Sequence, residues 1–228
     1  MAHLEVEVQK LKKEVHAMWG LVLGQLRHAQ QALQALDPVL AKAVVKQEKH
    51  INNKELLIER HCEDIIALHT PVAIDLRFVL AVLKINTSLE RVGDAAKAIA
   101  KFVLHSVLDG EMPFDAHLLA ISRLNEMCQQ ATGLLELVQQ AFEQEDSSLA
   151  RRIFLEGKLL GDNNLKAHAA IADYIRDNPT QVHQGLQMLL IVRKLDRIGD
   201  EGKNIAEEVI FYVDAQVLRH QSGQKRNR

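Results

Sequence analysis

The chain has 228 residues, 47% hydrophobic, 25% charged and 4% aromatic, with a formal net charge of −2 from 28 Lys and Arg against 30 Asp and Glu. That length supports one sizeable core or two small ones. The near-neutral balance supplies no global field to recruit nucleic acid, and so few aromatics argue against a β-sandwich.

A first helix is expected over 4–35. Asp37-Pro38 then reads as an N-cap with proline at the first helical position, opening a second helix over 38–68. Thr70-Pro71 reads the same way and opens a third over 71–108. Asp109-Gly110-Glu111 looks like a turn, and Pro113 after it sets a fourth helix at 114–144. Asp146-Ser147-Ser148 caps a fifth over 147–176, and Asn178-Pro179 opens a sixth over 179–218. No stretch sustains period-2 alternation. Helices of about 30 residues suit antiparallel bundles joined by short turns.

The chain also repeats itself. Glu90-Arg91-Val92-Gly93-Asp94 returns 106 positions on (196 − 90) as Asp196-Arg197-Ile198-Gly199-Asp200. Asp37 with Leu40-Ala41-Lys42 returns 109 positions on (146 − 37) as Asp146 with Leu149-Ala150-Arg151. Each half is therefore three helices. The expected fold is all-α, two homologous antiparallel three-helix bundles in tandem, over 1–110 and 111–220, with a basic tail at 221–228.

Each pentapeptide puts two carboxylates at i and i+4, on one side of a helix. The apolar stripe of the third helix runs through Val82, Ile85, Leu89, Val92, Ala96, Ile99 and Val103, nearly opposite Glu90 and Asp94. Asp196 and Asp200 likewise lie opposite the stripe of the sixth. These acids face outward or into a shared groove, not into a bundle core. Lys97 and Lys203 follow the second acid of each pair by three residues, so a solvated, ion-paired face is one reading and a metal site the other. Gly93 and Gly199, each costing around 1 kcal/mol inside a helix, point to close helix approach beside the acids. Glu48, Asn52, Glu55 and Glu59 form an oxygen-rich stripe on the second helix, and Glu48 and Asn52 would complete a site with Glu90 and Asp94. Oxygen-only ligands suit hard cations. The matching positions in the second half are Gly157 and Gly161, so the two sites should be unequal.

The eleven histidines are scattered, and no Glu-x-x-His, His-Glu-x-x-His, Gly-x-Ser-x-Gly or P-loop occurs. No catalytic constellation emerges. Cys62 and Cys128 lack metal-type spacing and read as reduced thiols. The start, Met1 to Glu5, has no signal layout, and runs such as Met188 to Val192 are too short to cross a bilayer. The protein is expected in the cytoplasm.

Pro71-Val72-Ala73-Ile74-Asp75-Leu76-Arg77 resembles an element of the PhoU family of phosphate-uptake regulators, and the two pentapeptides with their preceding leucines look like that family's acidic motifs. Lys203 to Val213 resembles its last helix, and Val217-Leu218-Arg219-His220 its ending. The resemblance runs from about residue 4 to residue 220. It implies a non-enzymatic regulator that restrains a phosphate ABC transporter and acts with the sensor histidine kinase of the phosphate regulon. It implies a homodimer that meets the membrane only through partner proteins. It also implies metal ions, iron first and Mn, Mg or Zn after it, on Glu48, Asn52, Glu90, Asp94, Asp196 and Asp200. Gly157, Gly161 and Ala98 depart from the family pattern. Arg77 and Arg91 are read as ion-pair partners of Asp75 or Asp94 rather than as phosphate ligands. The alternatives are a metal-free helical scaffold and an oxygen-ligated metalloenzyme acting on phosphate esters.

Overall fold

A computed structural model describes residues 2–108 and 114–218. The turn expected at Asp109 to Pro113, the border at 110/111, Arg219-His220 and the basic tail lie outside them. The described residues form α1 (Ala2–Ala35), α2 (Pro38–His69), α3 (Ala73–Leu108), α4 (Ala116–Ile121), α5 (Leu124–Glu143), α6 (Ser147–Asp177) and α7 (Val182–Asp214). A 3₁₀ turn, Pro179–Gln181, leads into α7.

The two tight turns are copies of each other. Asp37 accepts from the amides of Val39 at 2.8 Å and Leu40 at 3.1 Å. Asp146 accepts from Ser148 at 2.8 Å and Leu149 at 3.0 Å. The preceding residues, Leu36 and Glu145, take left-handed φ values of 48° and 52°. The amides of Asp37 and Asp146 then reach back to Ala32 and Ala141. The outgoing helix thus ends in a left-handed cap, and the next starts on a side-chain cap.

Four expected boundaries are corrected. Asn178 does not cap the last helix; its Nδ2 donates back to Tyr174 O at 3.0 Å, and α7 starts at Val182 after the 3₁₀ turn. Thr70 does not cap α3; it ends α2 in a left-handed conformation, φ 46°. Pro71 falls in the connection, and α3 starts at Ala73. The expected fourth helix is broken into α4 and α5. The amides of Ser122 and Arg123 close back on Leu118 and Ala120, the Ser122 hydroxyl donates to Leu119 O at 2.9 Å, and Arg123 turns left-handed at φ 52°. Serine supplies such local closure readily. The last helix stops at Asp214, where Ala215 adopts φ 57°, rather than running to 218.

Helices α1, α2 and α3 pack together as one three-helix bundle, and α5, α6 and α7 as the other. The bundles join along α3 and α7, which run antiparallel: Lys84 meets Glu208 at 2.9 Å and Arg91 meets Glu201 at 3.7 Å. The buried apolar side chains form a single cluster through both halves. Trp19 of α1, Phe78 of α3, Phe142 of α5 and Tyr212 of α7 stack at the junction with centroids 5.5–6.1 Å apart. Each such ring contributes roughly 1.5–3 kcal/mol by burial. The glycines of the two acidic pentapeptides sit where helices touch. A Cβ on Gly93 would meet Ile51 Cδ1 at 3.3 Å, and one on Gly199 would meet Leu160 Cδ2 at 2.6 Å. Ile51 and Leu160 are the same position of the repeat.

Candidate metal centre

Glu90 and Asp94 stand one turn apart on the outer flank of α3, the first half-buried and the second exposed. Glu48 comes up from α2 and is itself buried, only 3% exposed. One carboxylate oxygen from each of Glu48, Glu90 and Asp94 lies within 4.8 Å of the others. Turned with its nitrogen toward Glu48, the Asn52 amide donates to Glu48 Oε1 at 2.9 Å. Gln25 of α1 donates to Glu48 Oε2 at 2.9 Å from the core side. Lys97 Nζ bonds Asp94 Oδ1 at 2.9 Å and stands 3.8 Å from Glu48 Oε1.

The charges are out of balance. Burial, and then the carboxylates of Asp94, Glu55 and Glu48, push the Glu90 carboxyl up to about 7. Burial raises Glu48 despite the Gln25 hydrogen bond and the Lys97 ammonium, and burial followed by Glu59, Asp94 and Glu48 raises Glu55. Burial acts upward on Asp94 too, but the Lys97 hydrogen bond and charge outweigh it and hold that carboxyl below its usual value. Three acids, Glu48, Glu90 and Asp94, act on the one Lys97 ammonium, and Glu55 adds its charge to theirs. Protonation of Glu90 or a bound cation relieves the repulsion. The donors are all hard oxygens, without His or Cys, so the set fits Fe³⁺, Mn²⁺ or Mg²⁺ and is a poor match for zinc's nitrogen and sulfur preference.

The second half is built differently at the same places. Asp196 accepts from Asn164 Nδ2 at 2.9 Å, where Asn164 occupies the repeat position of Glu55. Asp200 pairs with Lys203 at 2.8 Å. The stem of Lys203 lies over Gly157, the counterpart of Glu48, where a Cβ would meet its Cε at 2.7 Å. Burial and then Asp200 raise the Asp196 carboxyl. Among the described residues no third carboxylate joins Asp196 and Asp200, and nothing lies within 4 Å of a Cβ on Gly161. An amide and a lysine stem take the places of two acids.

Two expected pairings are corrected. Arg91 reaches across the seam to Glu201, not to Asp94, because Lys97 already holds Asp94. Arg77 does not meet Asp75; its Nε donates to the Tyr212 carbonyl at 3.4 Å. Gln25 and the buried Glu201 and Glu208 escaped the sequence reading. A signal existed for Gln25, since its repeat counterpart is Leu134, an apolar residue.

The PhoU domain family model matches the chain twice, over residues 15–103 and 124–209. The phosphate-specific transport system accessory protein PhoU of Edwardsiella tarda is 32% identical over 217 residues, 95% of this chain and 87% of that protein. Its namesake in Escherichia coli K12 is 31% identical, across 95% of this chain and 88% of that one. The crystal structure of PhoU from Pseudomonas aeruginosa superposes with a TM-score of 0.86 at 29% identity, covering 93% of this chain and 99% of that one. The phosphate transport system regulatory protein PhoU from Streptococcus pneumoniae gives a TM-score of 0.84 at 26% identity, covering 94% and 99%.

Proposed function

The chain belongs to the PhoU family, and on that premise we propose that it is a non-enzymatic cytoplasmic regulator of phosphate transport. In this reading it restrains an ABC-type phosphate transporter and signals with the sensor histidine kinase of the phosphate regulon, binding both by protein contact. The observation that carries the reading is the match of both halves to relatives named as transport accessory proteins, over 95% of the chain.

Further features support parts of it. Cys62 and Cys128 sit in the core, where burial pushes both thiols up to about 12, so they make poor nucleophiles. No helix among the described residues is long and apolar enough to cross a membrane, which suits recruitment to a transporter through that protein. A homodimer belongs to the same proposal.

The cation, iron first, would sit on Glu48, Glu90 and Asp94, with Asn52 beside them and the second pair, Asp196 and Asp200, less occupied. When bound it would supply countercharge that fixes α2 against α3. A metal-free scaffold has one observation in its favour, the Lys97 ammonium already placed between Asp94 and Glu48.

The test is complementation. In a bacterium lacking its own regulator of this family, expressing this chain should silence a phosphate-starvation reporter in phosphate-rich medium. A reporter that stays on, with the protein present and folded, contradicts the proposal.

A further inference from the structure

The seam between α3 and α7 carries a groove of about 370 Å³ next to Asp94 that the regulator reading leaves unused. Arg91, Lys97 and Lys101 of α3 line it, with Lys194 and Arg197 of α7. Its other lining residues are Asp94, Ala95 and Ala98. Five cations face one carboxylate. Lys97 is spent on Asp94, and Arg91 reaches Glu201 only at 3.7 Å. Lys101, Lys194 and Arg197 have no ion-pair partner among the described residues. Elsewhere on the same seam the bridging cation is matched, as Lys84 is by Glu208.

The internal repeat makes the imbalance specific. A second groove, next along the seam and sharing Arg91, is lined by Ser88, Arg91, Asn204 and Glu207 among others. In the repeat these residues correspond to Lys194, Arg197, Ala98 and Lys101. A serine has become a lysine, and an acid has become a second lysine. Fold symmetry does not require either change, since the neighbouring groove holds the same backbone without them. The unpaired charges also repel one another, a cost that a bound anion would remove.

The shape narrows the ligand. Arg91 to Lys101 spans ten residues of helix, roughly 15 Å, too far for one tetrahedral ion to touch every cation. No aromatic side chain lines the groove, so base stacking has no platform there. Arginine forks and lysine ammonium groups are the side chains that hold phosphoryl oxygens. We propose that this groove binds a short chain of phosphoryl groups, as in an inorganic triphosphate or the triphosphate tail of a larger molecule, through Lys101, Lys194 and Arg197. The phosphoryl chain is held by these cations and needs no metal, although Asp94 borders both this groove and the acidic cluster.

The test is calorimetric titration of inorganic tripolyphosphate into the full chain, stripped of metal by chelator so that metal capture adds no heat. Binding should be measurable at low salt and weaken as salt screens the groove. The variant Lys101→Glu/Lys194→Ser copies the neighbouring groove and should bind at least about tenfold more weakly. Lys42→Glu/Lys46→Ser on the exposed face of α2 makes the same change in net charge and should bind as wild type does. Melting curves establish that both variants fold, and all four positions are exposed. Absent binding by wild type, or equal loss in both variants, would overturn the proposal. So would binding to vesicles of anionic lipid with none to tripolyphosphate, which would make the groove a membrane contact.

Discussion

Gln25 Nε2 donates to Glu48 Oε2 at 2.9 Å inside the first bundle, while the same two positions of the second bundle hold Leu134 and Gly157. One half keeps a buried amide–carboxylate pair beside its acidic face, and the other replaces it with a leucine and a buried glycine covered by the stem of Lys203. The hydrogen bond fixes the Glu48 carboxylate toward Glu90 and Asp94. Gln25→Leu would leave the Oε2 atom of a carboxylate 3% exposed without its donor. The expected loss is about 1–3 kcal/mol at pH 8. Adding Glu48→Leu should restore part of it, because the unpaired charge goes too. Urea denaturation of the two single variants and the double variant measures this. Strictly additive losses would mean that the two side chains are not coupled.

Glycines separate into two kinds. Gly20 lies in the middle of α1 with nothing within 4 Å of a Cβ, whereas a Cβ on Gly202 would run into Leu134 Cδ2. Gly20→Ala should therefore stabilise by about 0.5–1 kcal/mol through helix propensity alone. Gly202→Ala gains the same propensity but must displace a packed leucine, a strain of about 1–3 kcal/mol, and should come out destabilised. Opposite shifts in thermal midpoint are expected. A stabilised Gly202→Ala would show that α5 and α7 are not in close contact there.

Stability should respond to pH through the acidic cluster. The Glu90 carboxyl stands at about 7 in the folded chain against an ordinary 4.5. Between these values the folded state holds a proton that the unfolded state has released, so stability falls as pH rises from about 4.5 to about 7. Glu48 and Glu55 are raised as well and act in the same direction, and Asp94, which is lowered, acts below them with the opposite sign. Glu90 is partly open to water, so screening reduces its share to about 1 kcal/mol. Urea midpoints of metal-free protein at pH 5 and pH 8 should differ more for wild type than for Glu90→Gln. Equal differences would contradict the assignment.

The helices were legible because their starts carry local chemistry. Asp37 and Asp146 are caps in sequence and in structure, and the repeat of the acidic pentapeptide located the two halves. Thr70, Arg123 and Ala215 were not legible. Each adopts a left-handed conformation that its residue type does not favour, so packing and not local preference decides it. At the site, Glu48, Glu90 and Asp94 could be placed together from helical spacing and the pairing of α2 with α3. The partner of Arg91 could not, since Glu201 lies on the far side of the α3–α7 seam. The departure at Gly157 was visible, but its cause, the stem of Lys203 over it, needs the folded chain.

The central claim is that the acidic faces are unequal and that the first holds the cation. Its most direct test is elemental analysis of protein purified without a metal-chelating tag and reconstituted with iron or manganese, for wild type, Asp94→Asn and Asp200→Asn. The account predicts stoichiometric metal in wild type, most of it lost in Asp94→Asn and most retained in Asp200→Asn. No metal in wild type after reconstitution, or the same content in all three proteins, would contradict it.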